Sequence, residues 1–327
     1  MERSKVTVII FCYNQEDFIA KAIKSVTEQT YSNLEILISD NGSKDNSKRI
    51  ISEFVSLDNR IKFFDYEENL PLSVRQNTLS RLSKGDFISL LYADDYYLKD
   101  KIKTQVDIFQ GLSDDWGVVH GPGLRLFLDT GLSEIESATK AHGDCLKELF
   151  NKFSDGFINP ISPLIRRNCY LENPSHESLW SEGENLFFRF AIKYKFYYLE
   201  KPLVVMVDHK NNLGKNLIGN LNLHNLSMDQ LRENKEFPGK YLNDLNKHHS
   251  EHMSGVAIEC IRSDLDYDYG KNKLLEAVRI YPKSLFKLRI IITLIFLCLP
   301  IKMQMLFLQL YRKHTGYKST FISTDIY

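Results

Sequence analysis

Val6–Phe11 reads VTVIIF, an apolar, β-rich run with no alternation, and its reading decides the fold. A strand with one wet face alternates apolar and polar residues. A run without alternation is buried on both faces, as in the middle of a parallel sheet. Outward from this strand the pattern turns helical: Ile19, Ile23 and Val26 recur at a spacing that lines up one apolar stripe. Leu34–Ser39 (LEILIS) reads as the next strand, closed by the turn Asp40-Asn41-Gly42-Ser43. Ile50, Ile51, Phe54 and Val55 line a second helix, and Ile61–Phe64 is a third strand. A polar loop with Asn69 and Pro71 leads to a helix carrying Val74 and Leu82. Phe87–Tyr92 (FISLLY) is a fourth strand ending at Ala93-Asp94-Asp95, and Asp100 is placed to cap the helix whose Ile102, Val106 and Phe109 share a face.

Strand and helix in this rhythm form right-handed crossovers and a mostly parallel α/β sheet. Ligands of such sheets bind beyond the carboxyl ends of the strands. Tyr13 and Asn14, Asp40, Asn69, and Asp94 with Asp95 all follow strands and are expected on one rim. From about residue 111 to 209 short strands and loops mix, room for an acceptor-binding part. Residues 211–246 are rich in Asn, and helical patterns dominate from Glu251 onward.

Lys+Arg and Asp+Glu are both 42, so the formal net charge of zero argues against nucleic acid as the main partner. The 5 cysteines are scattered, without a CxxC pair, which suggests neither a zinc site nor a disulfide framework and fits a reducing compartment. Val6–Phe11 runs on into Asn14, Gln15 and Glu16 without a cleavage site, so it reads as a strand and not as a secretory leader.

Two carboxylates side by side at a strand end, Asp94 and Asp95, repel one another. Mg²⁺ or Mn²⁺ relieves the repulsion while substrate phosphates complete its shell. A solvated helix start accounts for the pair equally well. Asp40 is suited to accept from a pyrimidine imide or a ribose hydroxyl, and equally suited to bonding its own turn.

The ordered segments VTVIIFCYN (6–14), LEILISDNGSKDNS (34–47), EENLPLSVRQN (67–77) and KGDFISLLYADD (84–95) resemble the N-terminal half of the family 2 glycosyltransferases of GT-A fold, the kind found in bacterial surface-polysaccharide assembly. By that resemblance Tyr13, Asn14, Asp40, Arg75 and Asn77 hold the nucleotide, with Asn69 on the same rim. Asp94 and Asp95 are the metal and diphosphate motif. Members often carry an Asp two places before the Asp pair; Tyr92 stands there. The family's base is an acid in a Gly-Glu-Asp element opening a helix. The matching stretch is Glu182-Gly183-Glu184-Asn185, where Asn185 occupies the usual Asp position and cannot take a proton. Glu184 is the first candidate base and Glu182 the second. His209 is a further candidate for the diphosphate or metal, and Trp180 for stacking on an acceptor sugar. The resemblance implies inverting transfer from a nucleotide diphosphate sugar, UDP by family habit, to a saccharide hydroxyl.

Between Lys283 and Lys318 there are 7 Lys or Arg and no Asp or Glu, flanking the apolar stretches Ile290–Ile301 and Met303–Leu310. Neither stretch is long enough to span a bilayer. The segment is expected to lie on an anionic membrane, with a buried helical hairpin as the alternative. The expected organisation is a GT-A domain over 1–210 (nucleotide part about 1–110, acceptor part about 111–210). A helical extension over 211–327 follows, with its membrane segment at about 283–318. The expected setting is the inner face of the cell membrane, with a lipid-linked acceptor. A catalytically impaired binder or scaffold and a nucleotidyltransferase stay open as alternatives, although Phe11–Phe18 lacks the Gly-rich loop of the latter.

Overall fold

The unbroken apolar runs become the centre of a sheet. β1 (Val6–Cys12) and β2 (Leu34–Asn41) are buried along their whole length and pair in parallel, Val6 opposite Leu34 and Cys12 opposite Asp40. β3 (Ile61–Tyr66) extends the sheet beyond β2, and β4 (Phe87–Tyr92) lies on the other side of β1, both parallel. The chain therefore reverses its direction of travel across the sheet at β1. A crevice opens beyond the strand ends at such a point. The structure is a computed structural model and describes residues 4–151, 157–183, 185–210, 212, 216–263 and 265–315.

Helices α1 (Ile19–Thr27), α2 (Ser47–Leu57), α3 (Leu72–Leu82) and α4 (Lys101–Phe109) alternate with these strands. Ile19, Ala22, Ile23 and Val26 of α1 and Ile102, Val106 and Phe109 of α4 join β1 and β2 in one buried cluster. Each such aliphatic side chain contributes roughly 1.5–3 kcal/mol on burial.

One local expectation is corrected, and α3 adds a feature that the sequence reading did not have. Asp100 stands at the N-cap position of α4 but makes no side-chain cap; its carboxylate accepts from the Thr30 hydroxyl at 2.9 Å. α3 does not bury an apolar stripe. Leu82 is exposed, while Ser73, Arg75, Asn77 and Ser80 face inward with Leu79. The reason is that α3 packs on polar loops at the sheet's rim, where hydrogen bonds replace apolar contact.

Beyond β4 come β5 (Tyr96–Tyr97), β6 (Trp116–His120), β7 (Leu124–Phe127), β8 (Ser133–Ile135), β9 (Leu164–Arg166), β10 (Lys195–Tyr198) and β11 (Val204–Asp208). The main sheet has 7 strands in the order β10-β6-β9-β4-β1-β2-β3, with β9 antiparallel to both its neighbours. A second sheet of 4 strands runs β5-β11-β7-β8. Helices α5 (Leu146–Asn151), α6 (Arg167–Glu172) and α7 (Asn185–Lys193) complete this part.

The chain divides into two compact units, Met1–Lys210 and Asn211–Tyr327. The second is helical: α8 (Leu217–Glu233), α9 (Leu242–Ser263), α10 (Tyr267–Ile280), α11 (Leu288–Leu297) and α12 (Ile301–Thr315). α9 and α10 approach closely at Gly270, where a Cβ would stand 2.6 Å from the Ala257 carbonyl oxygen. Ile290 of α11 is fully buried against Ala257, Ile261 and Leu274.

Candidate active site

The rim at the carboxyl ends of β1, β2 and β4 is assembled from turns that bond to one another. After β1, Asn14 adopts a left-handed conformation (φ 52°). Its amide donates to Ser43 Oγ at 2.8 Å and its Oδ1 accepts from the Lys44 amide at 2.8 Å. Asn14 thus stitches the first rim loop to the second. Tyr13 beside it is exposed.

Asp40 ends β2 with no exposed surface. Its Oδ1 accepts from the Gly42 amide (3.1 Å) and the Ser43 amide (2.8 Å), so the carboxylate does shape its own turn. Gly42 is required there: its φ is 88°, and a Cβ would meet the Glu67 carbonyl oxygen at 2.8 Å. The other oxygen, Oδ2, is buried without a hydrogen-bond partner. Lys48 Nζ lies 2.5 Å from Asp65 and 4.0 Å from Asp40 Oδ1. One carboxylate oxygen therefore builds the turn and one is left for a donor.

Asn41, unnoticed in the sequence beyond its place in a turn, organises the next shell. Its amide donates to Asn69 Oδ1 (2.6 Å) and the Leu70 carbonyl (2.7 Å), and its own Oδ1 accepts from Arg75 Nε (2.7 Å). Arg75 also donates to the Glu68 carbonyl and lies over the Tyr66 ring at 3.5 Å. Asn69 and Arg75 are brought together at the rim, Arg75 buried and held by protein groups. Asn77 is turned elsewhere. Its amide donates to the Ser175 carbonyl (2.8 Å) and Glu177 (3.0 Å), and its Oδ1 accepts from the Ser175 amide (2.8 Å). Together with Ser73, whose amide donates to the Trp180 carbonyl at 3.1 Å, it clamps the loop that leads to α7.

That loop carries the candidate base. Glu182 is buried, and its Oε2 accepts from Arg189 Nη2 at 2.7 Å. Burial pushes its carboxyl up and the Arg189 guanidinium down, each against the pull of the other's charge. Such a pair locks the loop onto α7 and leaves Glu182 facing protein. Gly183, at φ 51°, turns the chain directly after it. Glu184 lies outside the described residues. Trp180 is half-buried in the same loop.

At the end of β4 the two aspartates part company. Asp95 turns inward and accepts from the Val207 amide at 2.9 Å, tying β11 to the rim. Burial, then the neighbouring Asp94 charge, pushes its carboxyl well up. Asp94 faces the other way, its Oδ2 3.1 Å from His209 Nε2. His209 in turn stacks on Phe18, ring centroids 5.1 Å apart. A carboxylate oxygen after β4 and an imidazole nitrogen after β11, brought within 3.1 Å, suit a divalent cation. Among the described residues no group of three or more His, Cys, Asp or Glu converges on one point.

Residues 7–130, the stretch that builds this rim, match glycosyl transferase family 2. This is a family 2 glycosyltransferase domain. The glycosyltransferase domain is similar to that of GlyA from Streptococcus pneumoniae, 36% identical over 100 residues, which cover 31% of this chain and 14% of that one. It is also similar to the UDP-Glc:alpha-D-GlcNAc-diphosphoundecaprenol beta-1,3-glucosyltransferase WfgD of Escherichia coli, 34% identical over 108 residues, 33% of this chain and 42% of WfgD. The chain thus spans less than half the length of either relative. Its fold is the GT-A fold, followed by a helical C-terminal region. The mannosyltransferase PcManGT from Pyrobaculum calidifontis, solved with GDP-Man and Mn²⁺, superposes with a TM-score of 0.58 at 13% identity, over 90% of this chain and 79% of that one.

Proposed function

We propose that the chain moves a sugar from a UDP-sugar to a hydroxyl of a lipid-linked saccharide, with inversion at the anomeric carbon, in bacterial surface-polysaccharide assembly. The observation that carries this reading is the rim itself. In a family 2 glycosyltransferase domain, Asp40 keeps a buried oxygen without a donor, and Asp94 faces His209 across the strand ends. A buried acceptor left unpaired costs about 1–3 kcal/mol, which a ligand N–H or O–H would recover. Tyr13, exposed after β1, would cover a base, and Asn69 and Arg75 shape the rim through Asn41. WfgD's name gives UDP-Glc as its donor and a diphosphoundecaprenol-linked sugar as its acceptor, which supports the same two classes here.

In the proposed reaction Glu184 takes the proton of the acceptor hydroxyl as that oxygen attacks the anomeric carbon. The bond from that carbon to the diphosphate oxygen breaks on the opposite face, and UDP departs with the electron pair. Asp94 and His209 would hold a divalent cation, which when bound neutralises charge on the leaving diphosphate. Glu182, through Arg189, and Asn77 set the position of the loop that carries Glu184, and Trp180 offers the acceptor a stacking surface. Asp95 holds β11, and with it His209, in place. The reaction takes place at the inner face of the membrane, where a lipid-linked acceptor would sit.

The test is release of UDP from a panel of UDP-sugars, in the presence of lipid-linked saccharide, with Mn²⁺, with Mg²⁺ and with EDTA. Turnover that requires the cation is expected. Binding of a UDP-sugar with no release under any condition would favour the impaired-binder reading, for which Tyr92 and Asn185 are the sequence grounds.

A further inference from the structure

α11 and α12 carry apolar side chains on their exposed faces. α11 packs Ile290, fully buried, and the partly buried Leu294 and Leu297 against α9 and α10. Its opposite face is apolar as well: Ile292 is 56% and Ile295 61% exposed. In α12 the two buried positions are Leu308 and a polar residue, Gln304. The Gln304 amide donates to the Leu297 and Leu299 carbonyls and its Oε1 accepts from the Tyr267 hydroxyl. Meanwhile Leu306, Phe307 and Leu310 are each more than half exposed. Water disfavours this arrangement at about 25 cal/mol for each Å² of apolar surface, so another phase is expected to cover the face.

The charges say which phase. Lys283, Arg289, Lys302 and Lys313 are exposed along the same segment, while Lys287 pairs with Glu251 at 2.6 Å. No Asp or Glu occurs between Lys283 and Thr315. A second copy on this face would bring the same cations together; an anionic lipid surface attracts all of them, each worth on the order of 1 kcal/mol. α11 has 10 residues, about 15 Å of helix, half the thickness of a bilayer's hydrocarbon layer. No helix among the described residues is long and apolar enough to cross a membrane.

We propose that the α11–α12 hairpin docks in the plane of one leaflet of an anionic membrane, its outward Ile, Leu and Phe side chains among the acyl chains and its cations at the headgroups. The proposal deepens the lipid-linked-acceptor reading, since it supplies the surface on which such an acceptor is held.

Cys298, at the end of α11, is the one exposed cysteine; the other four are buried. The full chain can therefore be labelled there with an environment-sensitive dye and mixed with phosphatidylcholine vesicles with and without phosphatidylglycerol. Co-sedimentation with the anionic vesicles alone, weakened by salt, and a blue shift of the dye are expected. The double variant Ile295→Gln, Phe307→Gln should lower vesicle partitioning at least about tenfold. Its substituted positions are exposed, so helicity by circular dichroism should hold. Changing Lys283, Arg289, Lys302 and Lys313 to Gln should abolish the preference for phosphatidylglycerol. Equal sedimentation of wild type and the double variant, a dye that stays in water while the protein binds, or a vesicle-free dimer dissolved by the same substitutions would each overturn the proposal. UDP affinity, measured on the same preparations, reports the donor reading separately. Its loss with vesicle binding intact would sink that reading alone, and the reverse result would sink the hairpin alone.

Discussion

Both units have an apolar core, and they differ in what they leave exposed. In the sheet unit, Val, Ile and Leu fill the interior and polar side chains gather at one rim. In the helical unit, His224 of α8 and His248, His249 and Ser254 of α9 are buried, as is Gln304, while Ile295 and Phe307 face outward. The difference teaches how to read burial for function. A rim of polar groups on an apolar core marks a ligand site in water. An apolar face left exposed over a core that is already filled marks a surface meant for a different medium. Substitutions that disturb one unit should leave the other's signature unchanged, and that is how the comparison can be broken.

The largest effects should separate two neighbouring acids of the loop that leads to α7. Glu184→Gln keeps size and hydrogen bonding but removes proton acceptance, and should lower turnover roughly 10²–10⁴-fold at unchanged melting temperature. Glu182→Ala would leave Arg189 a buried cation without its carboxylate. Removing one partner of a buried pair costs roughly 3–5 kcal/mol, so a marked fall in melting temperature is expected. If Glu184→Gln retained full turnover while Glu182→Gln lost it in a folded protein, the two assignments would have to be exchanged.

A smaller effect should belong to the helical unit alone. The rings of His224 and His252 stack at 4.0 Å, and those of His248 and His249 lie 5.3 and 5.7 Å from His224. Arg232 bonds to His249 Nδ1, and Lys273 adds positive charge nearby. Burial, reinforced by these cations and by one another, pushes His249 and His252 down to about 3 and His224 well below its usual value. A histidine depressed in the folded state stays neutral there while the unfolded chain takes up a proton. Its contribution to stability is therefore complete above about pH 6.5 and is lost as pH falls toward 3. Each such histidine costs up to roughly 1.4 kcal/mol per pH unit in that window. Acid unfolding followed on the helical unit should show this slope, and His224→Phe should flatten it. A melting temperature that does not change between pH 7 and about pH 5 would contradict the cluster's neutrality.

The sequence yielded the strands because an apolar run buried on both faces has no competing reading. It found α3 but not its polar inward face: Ser73, Arg75 and Asn77 serve loops, and periodicity of apolar residues cannot see hydrogen bonds. At the rim it marked Asp40, Asp94 and Asp95 by their place after strands, yet could not tell that Asp94 faces His209 while Asp95 faces Val207. Those partners lie in a distant strand and the segment after it. Glu182 is another such case: its partner Arg189 is near in sequence, but the pairing that turns the Glu182 carboxylate toward α7 is a matter of fold and not of spacing. Gln304 and the outward face of α12 were invisible because a basic, apolar segment reads alike whether its apolar side is in or out.

The smallest expected effect is the sharpest test of the rim, because it isolates one oxygen. Asp40 builds the turn through Oδ1, and its Oδ2, buried without a partner, is the oxygen proposed to meet the nucleotide. Asp40→Asn keeps an oxygen able to accept from the Gly42 and Ser43 amides and puts an NH₂ where Oδ2 stood. The turn should survive, but a donor on the nucleotide would then face a donor. UDP affinity measured by calorimetry should fall by roughly 1–3 kcal/mol, with little change in melting temperature. Asp40→Ala removes both oxygens and should lower the melting temperature as well, since two amides lose their acceptor. If Asp40→Asn bound UDP as tightly as the wild type, the buried oxygen would be a feature of the turn alone. The nucleotide would then have to be sought at Tyr13, or at the ends of other strands.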